Sequence, residues 1–217
     1  MSDLHTDFVR RQTAPGHAPL VPEIVLHLAG EVTPLWEATE ASLARTGLPP
    51  PFWAFAWPGG QALARHLLDR PDLVRGRTVL DFAAGCGIAA IAAAKAGAAH
   101  VAASEIDPFA AAAIALNAGA NGVAVDVIQN DLLVTPARDF GLILAGDLCY
   151  ERPMAERVFA WLTEAAQSGT DVLMADPGRS YLPKDGLVEI ARHDVATSLD
   201  LENRTAMTTR VFRLALP

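Results

Sequence analysis

The run Thr78-Val-Leu-Asp-Phe-Ala-Ala-Gly-Cys-Gly87, followed by Ile88-Ala-Ala-Ile-Ala-Ala-Ala-Lys95, constrains this chain more than any other segment. An apolar stretch that stops at a glycine pair reads as a buried strand and a tight turn, and the Ala/Ile run after it reads as a helix. Strands are expected again at 100–105, 123–129, 140–146 and 170–175. Helices are expected from the Asp107-Pro108 cap pair to about Gly119–Gly122 and over 153–167. A short helix over 183–190 and two strands, 191–199 and 208–216, close the chain, with Asp200–Thr205 as their hairpin. Such alternation predicts an α/β fold: a mostly parallel sheet covered by helices on both faces, with a terminal antiparallel pair.

The N-terminal part reads differently. Residues 1–19 look like an arm closed by Pro15-Gly16-His-Ala-Pro19, and Thr33-Pro34 opens a helix that Gly47 stops. Pro49-Pro50-Pro51 is a rigid connection, so the chain divides into 1–50, an arm and helix, and 51–217, the main domain. Between them, Gly59 and Gly60 precede a helical pattern over 61–69. Phe52, Trp53 and Phe55 read as a structural aromatic cluster, whereas Trp57, abutting the glycine pair, reads as the wall of a ligand pocket.

Composition removes whole classes. A formal net charge of -8 without a long Lys/Arg run argues against nucleic acid as a partner. No stretch is long and apolar enough for a membrane span, and the N-terminus lacks a signal core, so a cytoplasmic protein is expected, monomeric by default. Two cysteines, Cys86 and Cys149, make neither a disulfide framework nor a zinc site, and the histidines lack metal-ligand spacing, so no metal is expected.

Ligands of such sheets sit beyond the C-terminal ends of the parallel strands. Gly85-Cys-Gly87-Ile-Ala-Ala90 taken alone matches a dinucleotide fingerprint, and Glu105 lies where a ribose-binding acid would, so an NAD-dependent oxidoreductase stays open. Asp81 argues the other way. A carboxylate before the turn is poor for pyrophosphate and favourable for an ammonium or sulfonium group. S-adenosylmethionine carries both cations and no phosphate. Gly85 and Gly87 would let the backbone pass close to its amino-acid tail. Glu105 would accept from its ribose hydroxyls, Asp131 from its adenine amine, and Trp57 would cover the adenosine. Asp107 reads as a helix cap.

Gly146-Asp-Leu-Cys-Tyr150 should emerge into the same cleft. Methyl transfer needs in-line approach by a neutral nucleophile, and a lysine amine is mostly protonated in water. Asp147 is the candidate to attract and orient an incoming ammonium, and Tyr150 to wall the channel or hydrogen-bond the amine. Cys149 has no histidine partner in its segment and is a poor nucleophile candidate. Asp176-Pro-Gly-Arg179 adds a polar lip in which Asp176 shapes the acceptor site or simply makes a turn, and Arg179 reaches for an acidic partner surface.

With these residues assembled, the chain resembles the seven-β-strand protein methyltransferases, and among them the electron transfer flavoprotein β-subunit lysine methyltransferases in their bacterial form. The matching pieces are Pro51–Leu63, Val74–Asp81, Gly85–Gly87, Ile106–Pro108, Gln129-Asn130, Gly146–Tyr150 and Asp176–Arg179. The resemblance implies a Rossmann-like seven-stranded class I methyltransferase sheet. It implies S-adenosylmethionine as methyl donor, held by Trp57, Gly60, Asp81, Gly85, Glu105 and Asp131. Asp147 and Tyr150 would form the family's Asp-x-x-Tyr motif, serving catalysis or substrate engagement. The implied partner is the electron transfer flavoprotein β subunit, or else a ribosomal stalk protein. A methyltransferase acting on a small molecule and a non-catalytic cofactor-binding protein stay open beside it. Two departures stand out: Ala83 and Ala84 occupy positions where many methyltransferases carry a further glycine, and Glu105 stands where relatives often have Asp.

Overall fold

The computed structural model describes residues 4–30, 45, 50–136 and 139–215. It opens with helix α1 (Leu4–Gln12) and a hairpin, β1 (Ala14–Ala18) and β2 (Val21–Leu28). Helix α2 (Pro58–Asp69) leads into β3 (Thr78–Phe82), α3 (Ile88–Lys95), β4 (His100–Ser104), α4 (Pro108–Ala120) and β5 (Asp126–Ile128). Then come β6 (Leu142–Gly146), α5 (Arg152–Gln167), β7 (Asp171–Asp176), β8 (Leu187–Ala196), the short α6 (Leu199–Glu202) and β9 (Ala206–Leu214).

Seven strands form one sheet in the order β5-β4-β3-β6-β7-β9-β8. β3 to β7 are parallel; β9 enters antiparallel between β7 and β8. The strand order reverses between β3 and β6, which puts the ligand crevice at their carboxyl ends.

Successive side chains on a strand face opposite ways, so neighbours in sequence divide between two cores. Val79, Leu142 and Leu144 pack with Leu63 and Leu67 of α2, Ala90 of α3 and Ile114 of α4. Leu80, Ile143 and Ala145 pack with Val158, Trp161 and Leu162 of α5 on the other face. Helix α3 is apolar around nearly its whole girth because it is covered twice. Its Ala89, Ala90 and Ala93 meet the sheet, while Ile88, Ile91 and Ala92 meet Val21, Ile24 and Leu26 from the hairpin.

The N-terminal residues therefore form an outer layer rather than a loose arm. Phe8 of α1 lies 4.8 Å from Phe109 and 6.5 Å from Trp53, ring centre to ring centre. The backbone of β2 is satisfied by two asparagines, Asn117 within α4 and Asn121 just past its end. Asn117 Oδ1 accepts from His27 N–H at 2.7 Å, and Asn121 both accepts from Val25 N–H and donates to Val25 C=O. The expected helix beginning at Thr33 lies almost wholly outside the described residues. The expected helix over 183–190 is not formed: Leu187 already begins β8, which pairs with β9 along its length. A strand-side ladder supplies more partners there than an isolated helical turn would. The pattern assigned to 61–69 starts earlier, at Pro58, whose fixed φ suits a first helical position.

Candidate functional site

The cleft lies where α2, the turn after β3 and the end of β6 meet. Gly59, Gly60 and Gly146 allow that meeting. A Cβ on Gly59 would stand 2.6 Å from the Ala175 carbonyl oxygen, and one on Gly146 would stand 3.0 Å from Gly60 N. Trp57 occupies the N-cap position of α2 without capping it; its indole Nε1 donates to Phe52 C=O at 2.8 Å. The cap comes from Asp147, whose Oδ2 accepts the Gly59 N–H from the end of β6. The residue that caps α2 is thus 88 positions away in sequence.

The glycine turn is held from three sides. Ala84 N–H donates to Ser104 C=O at 3.1 Å, Gly87 N–H to Ala84 C=O at 2.8 Å, and Asn117 Nδ2 to Cys86 C=O at 2.9 Å. Ala83, Gly85 and Gly87 all take left-handed backbone angles, φ 49°, 57° and 77°. Ala83 adopts a conformation that glycine takes without strain, so the departure from a glycine-rich turn carries a local cost. At Gly87 a side chain would also press on Ile114 at 3.2 Å.

Asp81 and Glu105 face this turn. Asp81, 3% exposed, accepts Ala90 N–H from the first turn of α3 at 2.8 Å. Glu105 accepts Gly85 N–H at 2.6 Å. Burial pushes Asp81 up to about 8, opposed by the Ala90 N–H and reinforced by Glu105. Burial likewise pushes Glu105 up to about 7, with Asp107 adding to it. The charges acting on these two carboxylates are other carboxylates. A pyrophosphate would add to that repulsion, whereas a ligand cation would relieve it. The site fits a small molecule whose tail carries positive charge.

Trp57, Gly60, Asp81, Gly85 and Asp147 line one cavity. Gly87 caps α3 directly behind it. Asp131 stands apart from that lining: its Oδ1 caps the turn Leu132–Val134 through Leu133 N–H at 3.0 Å, and its Oδ2 lies 3.5 Å from Arg157. Asp107 caps α4 through Phe109 N–H at 2.8 Å, the role its Pro108 neighbour predicts. Among the described residues no His, Cys, Asp and Glu grouping has the arrangement of a metal site.

At the outer lip, Tyr150 is 43% exposed and its ring lies 5.7 Å from that of Phe52. Phe52 in turn lies 6.1 Å from Trp57. Phe52 therefore leaves the structural cluster assigned to it: it stands 45% exposed between the cleft wall and Tyr150, while Trp53 stacks on Phe109 inside. Burial, Glu151 and Glu105 raise the Tyr150 phenol, so it stays neutral at physiological pH. Burial pushes both Cys86 and Cys149 up to about 12, which leaves neither thiol reactive.

Behind the lip, Asp147 takes a left-handed φ of 56° and is part-buried, its side chain 11% exposed; loss of solvent pushes its carboxyl up to about 6 despite the neighbouring Arg179 guanidinium and the Gly59 N–H. Arg179 does not reach outward to a partner surface. It turns in, 3.0 Å from Asp147 Oδ1 and 2.6 Å from Glu202 Oε1. Sequence reasoning missed Glu202 and Asn117. Asn117 had a signal, a lone amide in an alanine helix; Glu202, in a polar hairpin, had none.

A family model described as "Ribosomal protein L11 methyltransferase (PrmA)" matches residues 62–150, less than half of the chain and centred on the glycine turn. Curated relatives match far more. The electron transfer flavoprotein beta subunit lysine methyltransferase of Rattus norvegicus is 37% identical over 202 residues, covering 89% of this chain and 77% of its own. Its Caenorhabditis elegans homolog is 37% identical over 190 residues, covering 79% and 76%. Among solved structures, magnesium protoporphyrin IX methyltransferase from Synechocystis PCC 6803 superposes with a TM-score of 0.54 at 17% identity, covering 86% of each chain. That likeness establishes the Rossmann-like class I methyltransferase fold.

Proposed function

The chain belongs to the electron transfer flavoprotein beta subunit lysine methyltransferase family, and on that basis we infer that it methylates lysine side chains of an electron transfer flavoprotein β subunit. It is an S-adenosylmethionine-dependent methyltransferase. The observation that carries the donor is the pair of uncompensated carboxylates, Asp81 and Glu105, at one glycine turn.

Bound at that turn, S-adenosylmethionine supplies an electrophilic methyl group on a sulfonium. Asp81 and the backbone around Gly85 and Gly87 hold the cationic amino-acid tail. Glu105 would accept from the ribose hydroxyls, Trp57 would cover the adenosine, and Gly60 would let α2 come close. Asp131, half-exposed beside the end of β5 and capping its own turn, would accept from the adenine amine. At the other end Asp147 draws in the lysine ammonium and Tyr150 orients the nitrogen, with Phe52 completing an aromatic collar. The lysine nitrogen loses its proton toward water at the open lip, and the freed lone pair then points down the cleft.

Methyl transfer to purified electron transfer flavoprotein, followed by peptide mass mapping, tests the acceptor. Ribosomal protein L11 belongs in a parallel reaction, because the family model over residues 62–150 carries that name. Modification of L11 with none on the flavoprotein β subunit would replace this reading.

A further inference from the structure

Both oxygens of Asp147 already accept hydrogen bonds from within the protein. Its Oδ2 is taken by the Gly59 N–H of α2. Its Oδ1 accepts from Arg179 Nη2 at 3.0 Å and Nε at 3.3 Å. The same guanidinium makes a shorter, two-atom fork with Glu202, Nη1 to Oε2 at 2.8 Å and Nη2 to Oε1 at 2.6 Å. A fork onto two oxygens is stronger than two donors converging on one. Glu202 is thus the anchor of Arg179 and Asp147 its releasable partner.

The local charge is also out of balance. Asp176, at the end of β7, is 1% exposed and accepts from Gly178 N–H and Arg179 N–H with Oδ1. Its Oδ2 is buried without a hydrogen-bond partner of ordinary geometry, beside the Cys149 thiol. Three carboxylates (Asp147, Asp176 and Glu202) feel the charge of one guanidinium, and a buried carboxylate oxygen with only a weak thiol donor beside it is held at a cost. Glu202 further lines a second cavity that shares Phe55 and Trp57 with the cofactor cleft.

We propose that Arg179 is a positioning residue that stands in for the acceptor ammonium at Asp147, and that Glu202 retains Arg179 when the acceptor lysine displaces it. The proposal rests on the lysine-acceptor reading above. Without acceptor, Arg179 keeps Asp147 ionised and aimed at the cleft. As the lysine arrives, its ammonium makes up part of the missing positive charge and Arg179 swings onto Glu202 alone. Around Asp147, burial comes first, and the groups that act on its charge are Arg179 from the turn after β7, Gly59 N–H from α2 and Asp176 from β7.

Arg179→Gln, Arg179→Lys and Glu202→Gln test this against wild type, with S-adenosylhomocysteine binding as a control for an intact cofactor site. Arg179→Gln leaves Asp147 part-buried without its cation, so the acid limb of kcat/KM for the flavoprotein moves up by about one pH unit, and Arg179→Lys moves it back. Glu202→Gln frees Arg179 to compete at Asp147, so KM for the acceptor rises about tenfold while kcat and S-adenosylhomocysteine affinity hold. Should wild-type protein methylate no flavoprotein lysine, the acceptor reading falls on its own. The Arg179 role is then decided by a carboxyl-carbon NMR titration of Asp147, which Arg179→Gln must displace upward. An unmoved acid limb or an unmoved Asp147 titration in Arg179→Gln overturns the proposal.

Discussion

Glu105 reaches back 20 residues to accept the Gly85 N–H at 2.6 Å, closing the acidic side of the glycine turn on itself. Together with Asp81 it makes the turn a place where negative charge is held at a cost. A ligand with a positive tail removes that cost, with measurable consequences.

The first is a pH dependence. Both folded-state carboxyls lie above their ordinary values, Glu105 at about 7 and Asp81 at about 8. A raised carboxyl contributes stability that is complete below its unfolded value and is lost as pH rises through the folded one. The ligand-free protein therefore loses stability between about pH 4 and 8. The α-ammonium of S-adenosylhomocysteine selects the ionised carboxylates, so its affinity rises over the same window and binding releases protons. Calorimetry in buffers of different ionisation enthalpy reads both effects; affinity independent of pH would contradict the assignment of Asp81 and Glu105.

Glu105→Gln keeps an amide oxygen to accept from Gly85 and removes the charge. Affinity for S-adenosylhomocysteine should fall by about ten- to a hundredfold, the worth of one or two charge-assisted hydrogen bonds. The ligand-free protein at pH 8 should melt at a higher temperature, since a buried like-charge neighbour of Asp81 is gone.

Asp147→Asn retains an acceptor for the Gly59 N–H and tolerates the left-handed backbone at this position. Turnover on the protein acceptor should drop by more than about tenfold, while S-adenosylhomocysteine binding stays within about threefold. A variant that lost cofactor binding and kept kcat would mean that Asp147 belongs to the donor site.

Ala83→Gly tests the strain in the turn. Alanine at φ 49° costs about 1 kcal/mol relative to glycine, partly offset by the freer unfolded chain. Urea unfolding should show the variant as stable as wild type or up to about 1 kcal/mol more so. A loss of stability would place the strain elsewhere.

Asn117→Leu removes the amide that joins Cys86 C=O to His27 N–H. A buried carbonyl and a part-buried N–H lose partners, a destabilisation of about 1–4 kcal/mol. S-adenosylhomocysteine affinity should fall with it, because the glycine turn loses its hold on α4. Full affinity in a destabilised variant would show that the amide serves the hairpin alone.

The central βαβ stretch is legible because its signals are local. Apolar strands, the glycine turn and the Asp107-Pro108 cap each specify backbone within a few residues, and β3, α3, β4 and α4 follow them closely. The N-terminal hairpin is not legible. Its strands carry prolines and a glycine, Pro15, Gly16 and Pro22, that read locally as turn, and what completes β2 is Asn117 and Asn121, 90 and 96 residues away. The Leu187 region reads as helix for the same reason: pairing with β9 overrides a weak local preference.

At the site the division is similar. The donor end is written into the chain itself, since an acidic strand terminus, two glycines and a strand-end carboxylate twenty residues on act through backbone geometry that one βαβ unit already contains. The acceptor end takes its form from long-range packing. Asp147 caps a helix that begins nearly ninety residues before it, and Arg179 meets Glu202 across the last hairpin. Charges buried at the junction of distant elements take their partners from the packing, and sequence spacing carries no record of which cation or carboxylate that packing supplies.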